Sequence, residues 1–214
     1  VTRLGDGPII HPKLDPSIGL NIQGPSVIRV PDWVKDPLGK YYLYFADHKG
    51  HYIRLAYADA VTGPWKIHVP GTLRIEDSHF LTEPPSVTEE QRREFDAYFS
   101  STKENFPHDR IIDLTIPHIA SPDAHVDKAN QRIVMYYHGL DALASQVSRV
   151  AVSSDGINFT ALPEVLGRTY WRAFDWQGDR YGLAMPGQFY RSQDPLGGFI
   201  PGPLLFNPKM RHSA

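Results

Sequence analysis

Cysteine is absent from all 214 residues. That excludes disulfides and thiolate metal sites and fits a reducing compartment. A cytoplasmic location is therefore the expectation, with a removed signal peptide as the alternative. Long hydrophobic runs are missing too. No stretch of about 18 apolar residues occurs, so no membrane-spanning helix is expected, and the opening VTRLGDGPII lacks a signal-peptide core. Charge of one sign is not in excess. The 22 Lys and Arg stand against 24 Asp and Glu, a formal net charge of −2, which leaves no footprint for nucleic acid or an anionic membrane surface. Ten histidines raise the question of a metal, but H-x-x-x-H and H-E-x-x-H pairs are lacking, so the zinc signal is weak. Asn158-Phe159-Thr160 matches the glycosylation sequon, a short pattern common by chance.

What the chain does contain is a repeat. The segments starting at Gly39 (GKYYLYFADHKGHYIRLAYADAVTGPWKIH), Asn130 (NQRIVMYYHGLDALASQVSRVAVSSDGINFTAL) and Gly178 (GDRYGLAMPGQFYRSQDPLGGF) share a plan. Each runs from an aromatic-rich strand through a short loop to a second strand. A glycine turn then leads to an aromatic: Trp65, Phe159 or Phe199. One further strand precedes each unit, in PSVIRV (25–30), SPDAHV (121–126) and YWRAF (170–174). Four strands in 40–50 residues is the size of a propeller blade. Met135 and Leu183 are 48 positions apart, one blade, and Leu43 and Met135 are 92 apart.

The fold class expected is all-β, of five-bladed β-propeller type, with about three blades and the start of a fourth in KMRHSA. The whole of 1–214 reads as a single, incomplete domain: either a fragment of a longer protein or a ring closed by a second copy. An open sheet edge would then invite self-association. Residues 72–116 interrupt the repeat. Within them Thr88 and Gln91 stand in capping-box register before strong helix formers, and Phe95, Tyr98 and Phe99 form an apolar stripe for docking. An inserted helix over Thr88–Phe106 is the reading, with an irregular blade as the alternative.

HIASPDAHVD (118–127) is too polar for a core strand, yet it precedes the apolar RIVMYYHG. In a propeller the first strand of each blade lines the axial channel, where polar residues face a wet mouth. His118, Ser121, Asp123 and His125 are therefore site candidates, and period-2 alternation puts the last three on one side. Local turn chemistry at Ser121-Pro122-Asp123 is the plainer alternative. Arg172 and Trp171 take the equivalent place in the third blade, and Arg211 and His212 in the truncated fourth. Asp47, His48 and His51 lie in a hairpin loop of the kind that reaches over channel mouths. Glu76, Asp77 and His79 open the insertion. His138 stands where the first repeat has Ala46, and there a satisfied structural histidine is a plainer explanation than a catalytic one.

The pattern GPSVIRVPDW…GKYYLYFADH…YIRLAYADAVTGPW, followed by SPDAHVD…RIVMYYHG, resembles the five-bladed β-propeller glycoside hydrolases of family 43 and its relatives. The resemblance covers most of the chain outside the insertion. It implies activity on plant or algal glycans through a first-blade carboxylate base, a second-blade carboxylate that tunes it, and a third-blade glutamic acid. The chain departs from that pattern at all three places. The aspartates that precede proline in the family are replaced by Gly24 before Pro25 and Ser121 before Pro122. GRTYWRAFDWQG (167–178) has only Asp175 as an acidic residue.

Hydrolysis of a glycosidic bond needs an acid and an opposed carboxylate. Relocated groups are therefore sought: Asp123, His125, Arg172 and Asp47 as catalytic candidates, and His48, His51, His118, Ser121, Trp171, His138 and His212 for binding sugar. Three functions stay open: a glycoside hydrolase with displaced groups, a non-catalytic carbohydrate-binding propeller, and an interaction scaffold. Tyr170, Trp171 and Trp176 offer stacking surfaces for sugar rings. The partner expected is a carbohydrate, and no cofactor is expected. Calcium at the channel axis, shared by His118, Asp123 and His125, is the alternative.

Overall fold

The computed structural model describes residues 7–101 and 109–206. Arg211, His212 and the rest of KMRHSA lie outside the described residues, as does the end of the expected helix. Three antiparallel sheets make up the body. The first blade is β1 (Gln23–Arg29), β2 (Tyr41–Ala46), β3 (Arg54–Ala58) and β4 (Lys66–His68). Two helices follow, α1 (Glu89–Ser101) and α2 (Ile111–Thr115). The second blade is β5 (Ile119–Asp127), β6 (Arg132–Ala142) and β7 (Ser145–Ser153), whose outer edge pairs with two short pieces, β8 (Thr160–Ala161) and β9 (Gly167–Arg168). The third is β10 (Arg172–Trp176), β11 (Asp179–Ala184), β12 (Gln188–Ser192) and β13 (Ile200–Leu204).

The three repeats read from sequence are these three blades. Residues 69–118 hold no blade, so the 92-position interval is one blade plus the helical segment. Strict alternation explains how the sheets stack. Along β6, Ile133, Met135 and Tyr137 face the first blade, while Val134 and Tyr136 face the third. Along β2, Tyr42 and Tyr44 face the second blade, and Leu43 and Phe45 the opposite side. The aromatics after the glycine turns fill these layers. Phe159 meets Tyr44 edge-on at 5.7 Å, and the Tyr44 hydroxyl donates to the Gly156 carbonyl at 2.8 Å, tying two blades together.

The capping box forms as read: Gln91 N donates to Thr88 Oγ1 and Thr88 N to Gln91 Oε1, at 3.2 and 2.9 Å. The apolar stripe docks less deeply than expected. Tyr98 is exposed and no residue of α1 is buried. An Arg92–Asp109 ion pair and the Arg110 guanidinium, 4.2 Å above the Phe99 ring, hold the helix instead. The short α2 carries no periodic signal of its own. The start of the insertion belongs to the first blade's core: Leu73, Ile75 and Phe80 are buried there, with Ile53 N bonded to the Leu73 carbonyl at 2.8 Å.

Beta-bulges shape the inner strands. In β1 the register slips between Gln23 and Ser26, and in β5 between Ala120 and Asp123. Each bulge holds a left-handed residue before proline, Gly24 (φ 60°) and Ser121 (φ 52°). The extra residue breaks simple alternation, which corrects the expectation that Ser121 shares a side with Asp123 and His125. Ser121 Oγ donates to Gln23 Oε1 at 3.1 Å, towards the first blade, whereas Asp123 turns to the third.

Candidate functional site

The hairpins between second and third strands all emerge at one end of the blades, where the inner strands begin. His48 and Lys49 come from the first such loop, Ala144 from the second with Gln146 just inside β7, and Met185 and Pro186 from the third. Arg168, Thr169 and Tyr170 approach the start of β10 from the same side. Phe99, Arg110, Asp113 and Leu114 close the space from the helical segment. Together they bound a cleft of about 590 Å³.

Tyr170 is held with a left-handed backbone (φ 58°). Its ring stacks with His48, centroids 6.4 Å apart and planes at 21°, and lies 4.6 Å from the ring of His138. His138 is buried behind it and meets His118 edge-on at 5.8 Å. His118 Nδ1 is 2.8 Å from the Ile116 carbonyl. Burial brings its pKa down to about 4, with Lys49 and His48 acting the same way against the opposing Ile116 hydrogen bond. His138 is held well below the ordinary value, first by burial and then by the charges of His118, His48, Lys49 and Arg172. Among the described residues neither nitrogen of His138 meets a hydrogen-bond partner.

Asp123 accepts from Ala173 N at 2.7 Å and faces His125 Nε2 at 2.9 Å. Burial alone would raise its pKa. The His125 hydrogen bond and charge, the Ala173 N–H and the nearby Arg172 outweigh that and hold the carboxyl below its usual range. Arg172 Nη1 donates to the carbonyls of Pro122 and Trp171 at 3.1 and 3.3 Å. These three candidates are thus brought together with one another, but none of them lines the cleft. His125 lines a second cavity, at the far end of β1 and β5.

Of the others, His48 lines the cleft, whereas Asp47 and His51 do not. Asp47 accepts from Lys49 N at 2.9 Å and stands 3.6 Å from Arg54, so it shapes the hairpin. His51 is exposed, and its carbonyl accepts from Ile75 N. Trp171 is only 1% exposed. It lies in the core between blades and is no open stacking surface, because the adjoining strand leaves it a slot over Gly182, where a Cβ would strike the indole. Trp176 is exposed away from the cleft. His118, Asp123 and His125 do not converge as a ligand set: among the described residues no three His, Asp or Glu could hold a metal ion.

Lys49, Gln146, Arg168, Arg110 and Asp113 were not singled out from sequence. Lys49 and Gln146 had a signal, since they sit in the same kind of hairpin as His48.

No family model matches the chain. It is 34% identical over 194 residues to an uncharacterized protein of Acanthamoeba polyphaga mimivirus, 86% of this chain but 47% of that protein. The chain thus spans about half the length of the curated relative it matches. Among solved structures it is similar to a family 43 α-L-arabinofuranosidase from Clostridium thermocellum, with a TM-score of 0.52 and 16% identity, over 89% of this chain and 53% of that one. A family 43 β-1,3-galactosidase gives a TM-score of 0.53 and 13% identity, over 86% and 57%. A family 43 enzyme from Xanthomonas citri complexed with xylose gives 0.53 and 12%, over 91% and 57%.

The fold is that of the five-bladed β-propeller glycoside hydrolases. Within that fold Gly24 and Ser121 occupy corresponding bulges, as their shared left-handed geometry and following prolines require. A side chain at Gly24 has no room, because its Cβ would come 2.7 Å from Ser121 Cα.

Proposed function

We propose that this chain is a carbohydrate-recognising propeller of the glycoside hydrolase type that binds saccharide in the cleft at its mouth. The observation that carries the reading is the wall made by His48 and Tyr170, two stacked rings at the end of the inner strands, with Gln146 and Thr169 beside them. Sugars present an apolar ring face to aromatics and hydroxyls to polar groups. The xylose complex of the similar Xanthomonas citri enzyme supports the choice of ligand class. Calorimetry against a panel of oligosaccharides tests it. Tyr170→Ala is expected to weaken saccharide binding about tenfold, ~1.4 kcal/mol. His48→Ala, at an exposed position, should act in the same direction without affecting folding. Affinity that survives both substitutions would remove the cleft from the account, and a panel with no ligand would remove the function.

A second reading, hydrolysis, is favoured by the Asp123–His125–Arg172 group. It requires a second carboxylate 5–9.5 Å away, across the scissile bond. Among the described residues Asp113 is the one acidic residue lining the cleft, whereas Asp123 is committed to Ala173 and His125. Binding without turnover is therefore the expected outcome. Asp123→Ala should cost about 1–3 kcal/mol of stability by leaving the Ala173 N–H unpaired, with saccharide affinity unchanged. Measurable turnover that Asp123→Asn abolishes while binding persists would establish hydrolysis instead.

A further inference from the structure

We infer that the saccharide held in this cleft is anionic and carries a carboxylate, as in a uronic acid, or a sulfate ester. The inference rests on the saccharide-binding reading above and adds its ligand class. The chain as a whole is slightly acidic, at −2, yet among the described residues the cleft brings Lys49 and Arg168 together with one carboxylate, Asp113.

Several cations of the second and third blades are matched by acids. Arg132 meets Asp127 at 2.8 Å, Arg149 meets Asp141 at 2.7 Å, and Arg180 and Arg191 each meet an aspartate at 2.5 Å. Lys49 and Arg168 form no such ion pair among the described residues. Lys49 is partly buried, and its Nζ donates to the main-chain carbonyl of Asp113 at 3.3 Å. Burial lowers its pKa, against the attraction of Asp113, so an anion placed beside it would offset a cost the fold already carries.

Beside the mixed donors and acceptors Gln146 and Thr169, the two cations of the wall add donors alone. A neutral sugar hydroxyl both donates and accepts, and a site built for it mixes both functions. Ammonium and guanidinium groups only donate, and carboxylate and sulfate oxygens only accept. The planar fork of Arg168 suits a two-oxygen anion, and Lys49 supplies a compact point charge.

Calorimetry with a digalacturonate, a sulfated disaccharide and neutral xylobiose tests this. One or both charged ligands should bind about tenfold or more tighter than xylobiose, the scale of one charge-assisted hydrogen bond, and added salt should weaken them. The preferred ligand of the two identifies carboxylate or sulfate as the anion. Lys49→Met and Arg168→Gln should each weaken the charged ligand several-fold more than xylobiose, so that the charged-over-neutral ratio falls. Equal affinity for charged and neutral ligands would overturn the inference and leave the saccharide reading standing. Binding of inorganic sulfate as tight as that of the sulfated disaccharide would overturn it too, since the site would then be one for small anions. If none of the three saccharides binds, the inference falls together with the reading beneath it.

Discussion

Trp171→Ala is expected to lower the unfolding free energy by about 3–5 kcal/mol, the range for removing a large aromatic from a core that cannot collapse around the gap. The indole is 1% exposed. Tyr190 and Phe199 lie 4.9 Å from it and Tyr136 6.2 Å, ring centre to ring centre. These neighbours come from three different strands and loops of two blades, so no single movement closes the space. The indole N–H finds no partner among the described residues, and a buried unpaired donor is a standing cost. Trp171→Phe should therefore recover a large part of the loss. Urea unfolding followed by near-ultraviolet circular dichroism checks both variants. A loss below about 1 kcal/mol for the alanine variant, typical of an exposed site, would mean that the indole is not part of the core.

Trp171 also marks where sequence reading stops. In YWRAF an aromatic beside an arginine at the start of an inner strand has the pattern of a sugar platform. The fact that reverses this is Gly182, on the neighbouring strand β11, whose missing side chain creates the slot the indole fills. Nothing in a linear pattern pairs those two positions before the register of β10 against β11 is known.

The blades themselves were legible because each repeats a local code: alternating apolar residues, a glycine turn, then an aromatic. The equivalence of Gly24 and Ser121 was legible from the prolines that follow them. The bulge that turns Ser121 away from Asp123 was not, since one extra residue leaves no compositional trace. The cleft was least legible of all. Its walls come from several loops far apart in sequence, and Arg168 or Gln146 becomes meaningful only when the hairpins are brought to one end.

Acidification from pH 6.5 to pH 4 is expected to cost the fold about 3 kcal/mol through His118 alone, at about 1.4 kcal/mol per pH unit of displacement. Its ring is buried at 1% exposure and its pKa lies near 4, against an ordinary value of 6.5. The unfolded chain therefore takes up this proton first as pH falls. Above 6.5 neither state is protonated and stability is complete. Between 6.5 and 4 stability declines, and below 4 both states carry the proton and the decline from this group ends. His138, displaced in the same direction by burial, steepens the slope. Asp123 acts in a separate window. Its lowered carboxyl contributes stability above the ordinary value of 3.8, and that contribution is lost only as pH falls further. Two acid steps should thus appear in urea midpoints measured across pH, a histidine step between 6.5 and 4 and a carboxylate step below. His118→Gln and His138→Ala, the second copying the Ala46 of the first blade, should each flatten the upper step and leave the lower one. A wild-type slope retained in both variants would show that the buried pair behind Tyr170 does not set the acid sensitivity of the mouth.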